Sequence, residues 1–508
     1  MAGKAVQKVA PAEQHAGAGK LIAGNMDGIL LAAIFALALL TMAYNIGADS
    51  FWQDETFSVI VSGSGGIGSV IAAANGDVHP PLYFVILHFF LMLPGRPEVI
   101  ARLPSLAFGV LSVPVIYLAG REMFNRGTGL ASAFLYSISF TAITYSQEAR
   151  MYPQVIFFGA LATYSLFKAV KDDRPLAWGL FAFSAIAIYY SHYYGALLVG
   201  ALILYALAMI IYRRQAFSRR SLHLAAGCVV IALAILPQAV VMFHQTQGTN
   251  VNSDLHSDGV SFFPRLGYFL SAGGIKNPIT WQSLGLTVLF GAAALLGLVA
   301  GIKKYSEGGR EAIVMLSIVF AFTAIVGLLL TYRIRFCGYR YFIFLLGPYL
   351  TLVAYGITSA PGLLLPTWTL KPSFKKLSRG ACLVIAILAL ISVVEFTSIS
   401  PLYAGSNVDL GDSLQYVKDH MAPGDRFAVL CDDSLTTRYY VDRMGMGSAL
   451  VGPGSIDSPD ALAGSGARWA VLADGKGFSR YDEFKPALDA RMERYTGMTR
   501  VAVYGPAG

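Results

Sequence analysis

Residues Pro80–Leu93 read PPLYFVILHFFLML. The stretch is apolar, but its fourteen residues fall short of the roughly 17 that a helix needs to cross a bilayer. On either side of it, longer apolar runs recur from Gly28 to Phe396. Their spans are expected at Met26–Asn45, 99–120, 128–146, 151–170, 176–191, 193–212, 222–243, 281–302, 311–331, 341–359 and 381–398. If Pro80–Leu93 is left out of the count, eleven spans alternate from a cytoplasmic N-terminus. The loops then assigned to the inside hold nineteen of the 38 Lys and Arg residues, those on the outside eight, and the rest lie beyond residue 400. Counting the short run as a span would invert this charge bias, against the positive-inside rule. Residues 80–93 are therefore expected to form an interfacial or re-entrant helix on the outer surface.

Composition agrees with this reading. Only 13% of the 508 residues are charged and 55% are hydrophobic, where a soluble chain carries about 25% charged. The formal charge of +8 sits mainly in inside loops, so nucleic acid is not an expected partner and the bilayer is. Four cysteines exclude a disulfide scaffold: Cys228 and Cys382 fall within apolar spans, and Cys337 and Cys431 are the pair left outside. The expected architecture is an α-helical polytopic membrane protein of about eleven spans, residues 26–398. Residues 1–25 should be a disordered cytoplasmic tail, and 47–97 and 244–280 outer loops. Residues 401–508 turn to Asp, Arg and Gly, with strand-like runs from Arg426, Arg468 and Arg500. Between them stand helix-compatible stretches such as DEFKPALDARMERY, so a small extracytoplasmic α/β domain is expected.

The chemistry should lie at the outer surface. Asp54 and Glu55 follow the first span in FWQDETFSVI. A carboxylate beside lipid is partly desolvated and a better proton acceptor than a solvated one; a helix N-terminal acid pair favoured by the macrodipole reads equally well. His79 in GDVHPPLYF suits a phosphate donor or a base. Glu148 and Arg150, in YSQEARMYP, fall in a tight turn on the same side. TYRIRFCGYRYF then places Arg333, Arg335 and Arg340 where cations are otherwise avoided, with Arg102 at matching depth. Guanidinium binds phosphate oxygens bidentately and stays charged. Carboxylates and arginines at one membrane surface suit a transferase acting on a lipid-held phosphate.

These residues resemble a known group. Asp54-Glu55, HPPLYF at 79–84, RLPS at 102–105, YSQEARMY at 145–152 and YRYF at 339–342 are similar to the GT-C glycosyltransferases, in the branch with protein O-mannosyltransferases and the aminoarabinose and galacturonic acid transferases of lipid A. The likeness covers residues 26–360. It implies an inverting transfer from a polyprenyl-phosphate sugar to a saccharide, lipid or protein hydroxyl, on the periplasmic face of a bacterial inner membrane. Asp54 would then be the general base, and Glu55 would orient it or the acceptor. His79, standing where lipid A aminoarabinose transferases have a lysine, would face the donor phosphate with Arg102, Arg333, Arg335 and Arg340. Glu148, Arg150, Tyr339 and Tyr341 would line the substrate side. Members differ in metal dependence; these residues offer no ligand set, so no cofactor is expected unless this member takes a divalent metal. A flippase of lipid-linked saccharide and an O-antigen-type polymerase are the alternatives from other classes.

Overall fold

The computed structural model describes residues 11–248, 262–273, 279–303, 307–334, 338–364, 379–403, 409–452, 456–474, 478–498 and 501–506. The chain opens with α1 (Pro11–Ala43), whose backbone is helical through residues 11–25, a stretch expected to lack structure; the Ala, Gln and Lys there extend a helix readily once the span nucleates it. The first outer loop carries α2 (Gln53–Ser62), α3 (Ile67–Asn75) and α4 (Leu82–Phe90). α4 has nine residues, about 14 Å at 1.5 Å per residue, less than half a hydrocarbon core.

There follow α5 (Pro97–Met123), α6 (Arg126–Ile138), α7 (Phe140–Ser146), α8 (Tyr152–Asp172), α9 (Pro175–Ser191), α10 (Gly195–Tyr212), α11 (Arg219–Gly248), α12 (Phe262–Ala272), α13 (Trp281–Lys303) and α14 (Glu307–Ile334). A 3-10 segment, Tyr339–Leu345, then runs into α15 (Leu346–Leu364), and α16 (Arg379–Tyr403) is the last long apolar helix. Among the described residues nine helices are long and apolar enough to cross a membrane, and the shorter α9 is apolar as well. The expected span 128–146 is instead broken in two. Ser139 is extended, and its hydroxyl accepts the Ala142 N–H of the restarted helix. Glu395 of α16 accepts the Phe140 N–H (3.3 Å), so the break is satisfied by a buried carboxyl rather than by water. Where α13 and α15 cross, a Cβ on Gly297 would lie 2.6 Å from the Leu352 carbonyl; small residues let these backbones approach, as is usual between membrane helices.

The C-terminal domain comprises α17 (Leu410–His420), β1 (Arg426–Leu430), α18 (Ser434–Arg443), α19 (Pro459–Gly464), β2 (Ala467–Ala473), α20 (Tyr481–Arg491), β3 (Glu493–Met498) and β4 (Val501–Gly505). Its sheet has the order β1-β2-β4-β3, with β1 and β2 parallel and the rest antiparallel. β3 corrects one expectation. The ERY of DEFKPALDARMERY leaves the helix and pairs with β4, which would otherwise be an open edge. One sheet face, with Phe427, Trp469 and Val471, joins the core continuous with the helical domain; the other packs Leu472 and Tyr504 under Phe484 and Leu488. The protein is thus a polytopic helical membrane protein with a docked α/β domain.

Candidate active site

Trp52 caps α2, and Glu55 at the helix's third position reaches back to the Trp52 N–H (3.4 Å). Successive residues on a helix diverge by about 100°, so the two adjacent acids face different surroundings. Glu55 turns inward. Its carboxylate takes a bidentate Arg102 (2.7 and 2.8 Å) and the Ala149 N–H (2.8 Å), and its side chain is fully buried. Arg102 spends its remaining donors on the carbonyls of Ile46 (2.7 Å), Asp49 (3.0 Å) and Ser50 (3.3 Å). A guanidinium has five N–H groups, and all five are used within the protein. Arg102 therefore has no donor left for the phosphate it was expected to face, and Glu55, expected to orient Asp54 or the acceptor, is committed to this clamp. Together they anchor the loop between α1 and α2 to α5 and to the α7–α8 turn.

Asp54 turns outward, its side chain 27% exposed. Arg340, from the 3-10 segment, lies 3.4 Å from its carboxylate and Arg150 lies at 3.9 Å. The two cations differ. Arg150 is buried: it donates to the Asp54 carbonyl (3.2 Å) and to Ser58 (3.3 Å), and its other terminal nitrogen meets His79 Nε2 at 3.3 Å. Arg340 keeps 28% of its side chain exposed and lies over the Tyr341 ring.

His79 also departs from its expected role. Its Nδ1 bonds Asp77 (2.7 Å), leaving Nε2 to accept from Arg150. Burial pushes the imidazole below its usual 6.5, against the Asp77 bond that raises it. Burial is the largest single influence on the Asp77 carboxyl and raises it, but the His79 bond and charge, the Val78 N–H and Arg150 together outweigh it and hold the carboxyl below 3.8. A neutral ring whose free nitrogen accepts a hydrogen bond cannot also donate to a phosphate; His79 steers Arg150 instead.

An aromatic wall completes the site. His192, between α9 and α10, lies 6.0 Å from His79 and 5.0 Å from Tyr341, ring to ring, and Tyr152 stacks edge-on against Tyr145 at 4.7 Å. Burial first, then His79, Arg150 and Arg340, hold the His192 imidazole well below 6.5, so it is neutral. The Tyr152 hydroxyl and the Gln154 amide are buried with no hydrogen-bond partner among the described residues. Of the other expected residues, Tyr339 packs on Phe269 and Glu148 is buried in the α7–α8 turn. Arg333 is on α14 with its side chain outside the described residues, where Arg335 and Cys337 also fall. Asp77, His192, Tyr145 and Tyr152 were given no role from the sequence. Tyr145 and Tyr152 stand at the two ends of the family-like YSQEARMY stretch, and the signals for the others were the two-residue spacing to His79 in GDVHPP and a histidine within the aromatic connection YYSHYYG.

Residues 78–241, about a third of the chain, match the dolichyl-phosphate-mannose-protein mannosyltransferase family. A putative mannosyltransferase of Bacillus subtilis, YkcB, is 24% identical over 177 residues, 32% of this chain and 24% of that protein. The match thus spans about a quarter of that relative. Among solved structures, ArnT from Cupriavidus metallidurans in the apo state superposes with a TM-score of 0.54, covering 95% of this chain and 98% of that one at 15% identity. The apo oligosaccharyltransferase of Archaeoglobus fulgidus gives a TM-score of 0.53 at 10% identity, over 95% and 74% of the two chains. The chain has the GT-C fold.

In this GT-C chain the surroundings of Asp54 do not suit a divalent cation, because two guanidiniums already face the carboxylate. Among the described residues no three His, Cys, Asp or Glu side chains gather in a way that would hold a metal.

Proposed function

We propose that this protein is a glycosyltransferase that moves a sugar from a polyprenyl-phosphate donor to a hydroxyl acceptor, with inversion, on the periplasmic side of a bacterial inner membrane. The observation that carries the reading is the Asp54 carboxylate facing Arg340 at 3.4 Å, both partly exposed, beside a buried Arg150. Solved structures similar to this chain include ArnT bound to undecaprenyl phosphate, and AglB from Archaeoglobus fulgidus with an inhibitory peptide and a dolichol-phosphate. Both favour a lipid-held phosphate. The acceptor remains a class, a saccharide, lipid or protein hydroxyl.

The chemistry follows from the charges. A polyprenyl-phosphate sugar is a phosphodiester with one negative charge, and its departing phosphomonoester gains a second as the bond between the anomeric carbon and oxygen breaks. The acceptor oxygen attacks the opposite face of that carbon while its proton passes to Asp54. Arg340 stabilises the phosphate more as charge accumulates, which lowers the barrier rather than merely tightening donor binding. Arrival of the phosphate draws Arg340 from Asp54 and frees the carboxylate for the proton. Arg150, held by Ser58, His79 and the Asp54 carbonyl, keeps the pocket cationic meanwhile.

Asp54→Asn should cut transfer of radiolabelled mannose from a polyprenyl phosphate to membrane acceptors by roughly 10² to 10⁴. Retention of the donor lipid should be little changed. Wild-type turnover in this variant would remove the general base and the proposal with it.

A further inference from the structure

The C-terminal domain docks on the segment that carries Asp54 and on the first turn of α5. Asp433 caps α18 by accepting the Thr436 N–H (3.0 Å). Thr436 and Tyr440, one turn apart, therefore project from one face of α18. The Tyr440 hydroxyl accepts the Phe51 N–H (2.9 Å) and donates to Glu98 at the start of α5 (3.1 Å). The Thr436 and Thr56 hydroxyls share a hydrogen bond of 2.9 Å. Ser50 is tied twice more: its hydroxyl accepts the Gly411 N–H (2.9 Å) and donates to Asp409 (3.3 Å). The Phe51 ring packs against the Tyr439 and Tyr440 rings (5.8 and 6.4 Å), and the Arg102 guanidinium lies over it at 5.5 Å. Thr56, Thr436, Phe51 and Tyr440 are all buried.

Two of these ties, at Phe51 and Thr56, bracket Asp54 within six residues of chain. The Arg102–Glu55 clamp holds the same segment from the membrane side, so the extended residues before α2 and its first turn are gripped from both directions. We infer that the C-terminal domain is a positioning device for the Asp54 carboxylate, with Tyr440 and Thr436 as positioning residues. The inference rests on the reading of Asp54 as general base. It gives the domain a role in turnover that binding of the donor does not require.

The test uses the full-length protein in detergent micelles, with the mannosyl-polyprenyl-phosphate assay above and hydrogen exchange of the 50–62 peptide. Tyr440→Phe keeps the ring and removes both bonds of its hydroxyl. It should speed exchange in that peptide and lower kcat roughly 10-fold, since small misplacements of a reacting group are costly. KM for the donor should stay within about twofold. Thr436→Val, isosteric but without the hydroxyl, should behave alike, whereas Thr436→Ser should retain the wild-type rate. Exchange in β1 and β2 should not change in any of these, which separates positioning from loss of the domain's fold. Unchanged exchange at 50–62, or a kcat equal to wild type, overturns the inference while Asp54→Asn remains inactive. Full turnover by Asp54→Asn overturns the underlying reading instead, and accelerated exchange in Tyr440→Phe would then show the grip without its catalytic consequence.

Discussion

Glu55 and Arg102 read as chemistry in the sequence and as architecture in the structure, and a double-mutant cycle separates the two. Both side chains are essentially buried, at 0% and 3% exposure, and their bidentate contact is 2.7–2.8 Å. Removing one partner of such a pair leaves an uncompensated charge out of water, at a cost of about 3–5 kcal/mol. Glu55→Gln keeps an accepting oxygen and the shape, so it should fall near about 3 kcal/mol. Arg102→Met also strips the Ile46, Asp49 and Ser50 carbonyls of a donor, at about 1 kcal/mol apiece, and should lie at or above the top of that range. The double variant Glu55→Gln/Arg102→Met carries no buried charge here, so it should be less destabilised than the two single effects combined by at least about 2 kcal/mol. The assay is denaturant unfolding of purified protein followed by tryptophan fluorescence, with donor binding measured on the folded fraction. Effects additive to within about 0.5 kcal/mol, or Arg102→Met weakening donor binding tenfold at unchanged stability, would refute the clamp and restore Arg102 as a phosphate ligand.

The titratable groups outside the spans give two further predictions of opposite sign. Burial depresses His79 and His192 below 6.5, so the unfolded chain takes up protons first as the medium is acidified, and stability should decline as pH falls below about 6.5. Protonated His79 can no longer accept from Arg150, so turnover should also fall on acidification, at a pH below the onset of the stability loss because His79 in the folded protein titrates below 6.5; a His79→Asn/His192→Asn variant whose stability fell as steeply between pH 6.5 and 5 would contradict this. Burial, with Asp412 nearby, lifts Asp409 from 3.8 to about 6, so its contribution is complete below 3.8 and is lost as pH rises through 6. Carrying it ionised at neutral pH costs on the order of 2–3 kcal/mol after allowance for partial solvent contact. Asp409→Asn should accordingly strengthen docking of the C-terminal domain at pH 7.5, seen as slower limited proteolysis near residue 409, and equal cleavage rates would count against it.

Hydropathy and loop charge made the helical domain legible because both are local properties, readable one window at a time. The C-terminal strands at Arg426, Arg468 and Arg500 were visible for the same reason, whereas β3 was not: ERYTGM is polar and becomes a strand only by pairing with β4. The break at Ser139 was hidden likewise, since the carboxyl that satisfies it comes from Glu395, 255 residues away. Adjacent acids on a helix pose a related difficulty. Composition gives Asp54 and Glu55 equal standing, and the rotation that sends one to solvent and the other to Arg102 is set by α5, 47 residues on.

The arginines carry this furthest. Seen from the sequence, Arg102, Arg150 and Arg340 are alike, cations on the face that avoids them. A loop at a membrane surface has carbonyls to satisfy and little water to satisfy them, so some of its guanidiniums serve as internal donors. Arg102 has five acceptors for five N–H groups. Arg150 is turned by His79, itself fixed by Asp77. Arg340 keeps 28% of its side chain exposed and, among the described residues, meets a carboxylate only at Asp54, the contact that the proposed reaction would exchange for a phosphate. On the proposed reading, what sets Arg340 apart is donor capacity left over after the backbone has been served, a quantity fixed by partners dozens to hundreds of residues away that no spacing rule records.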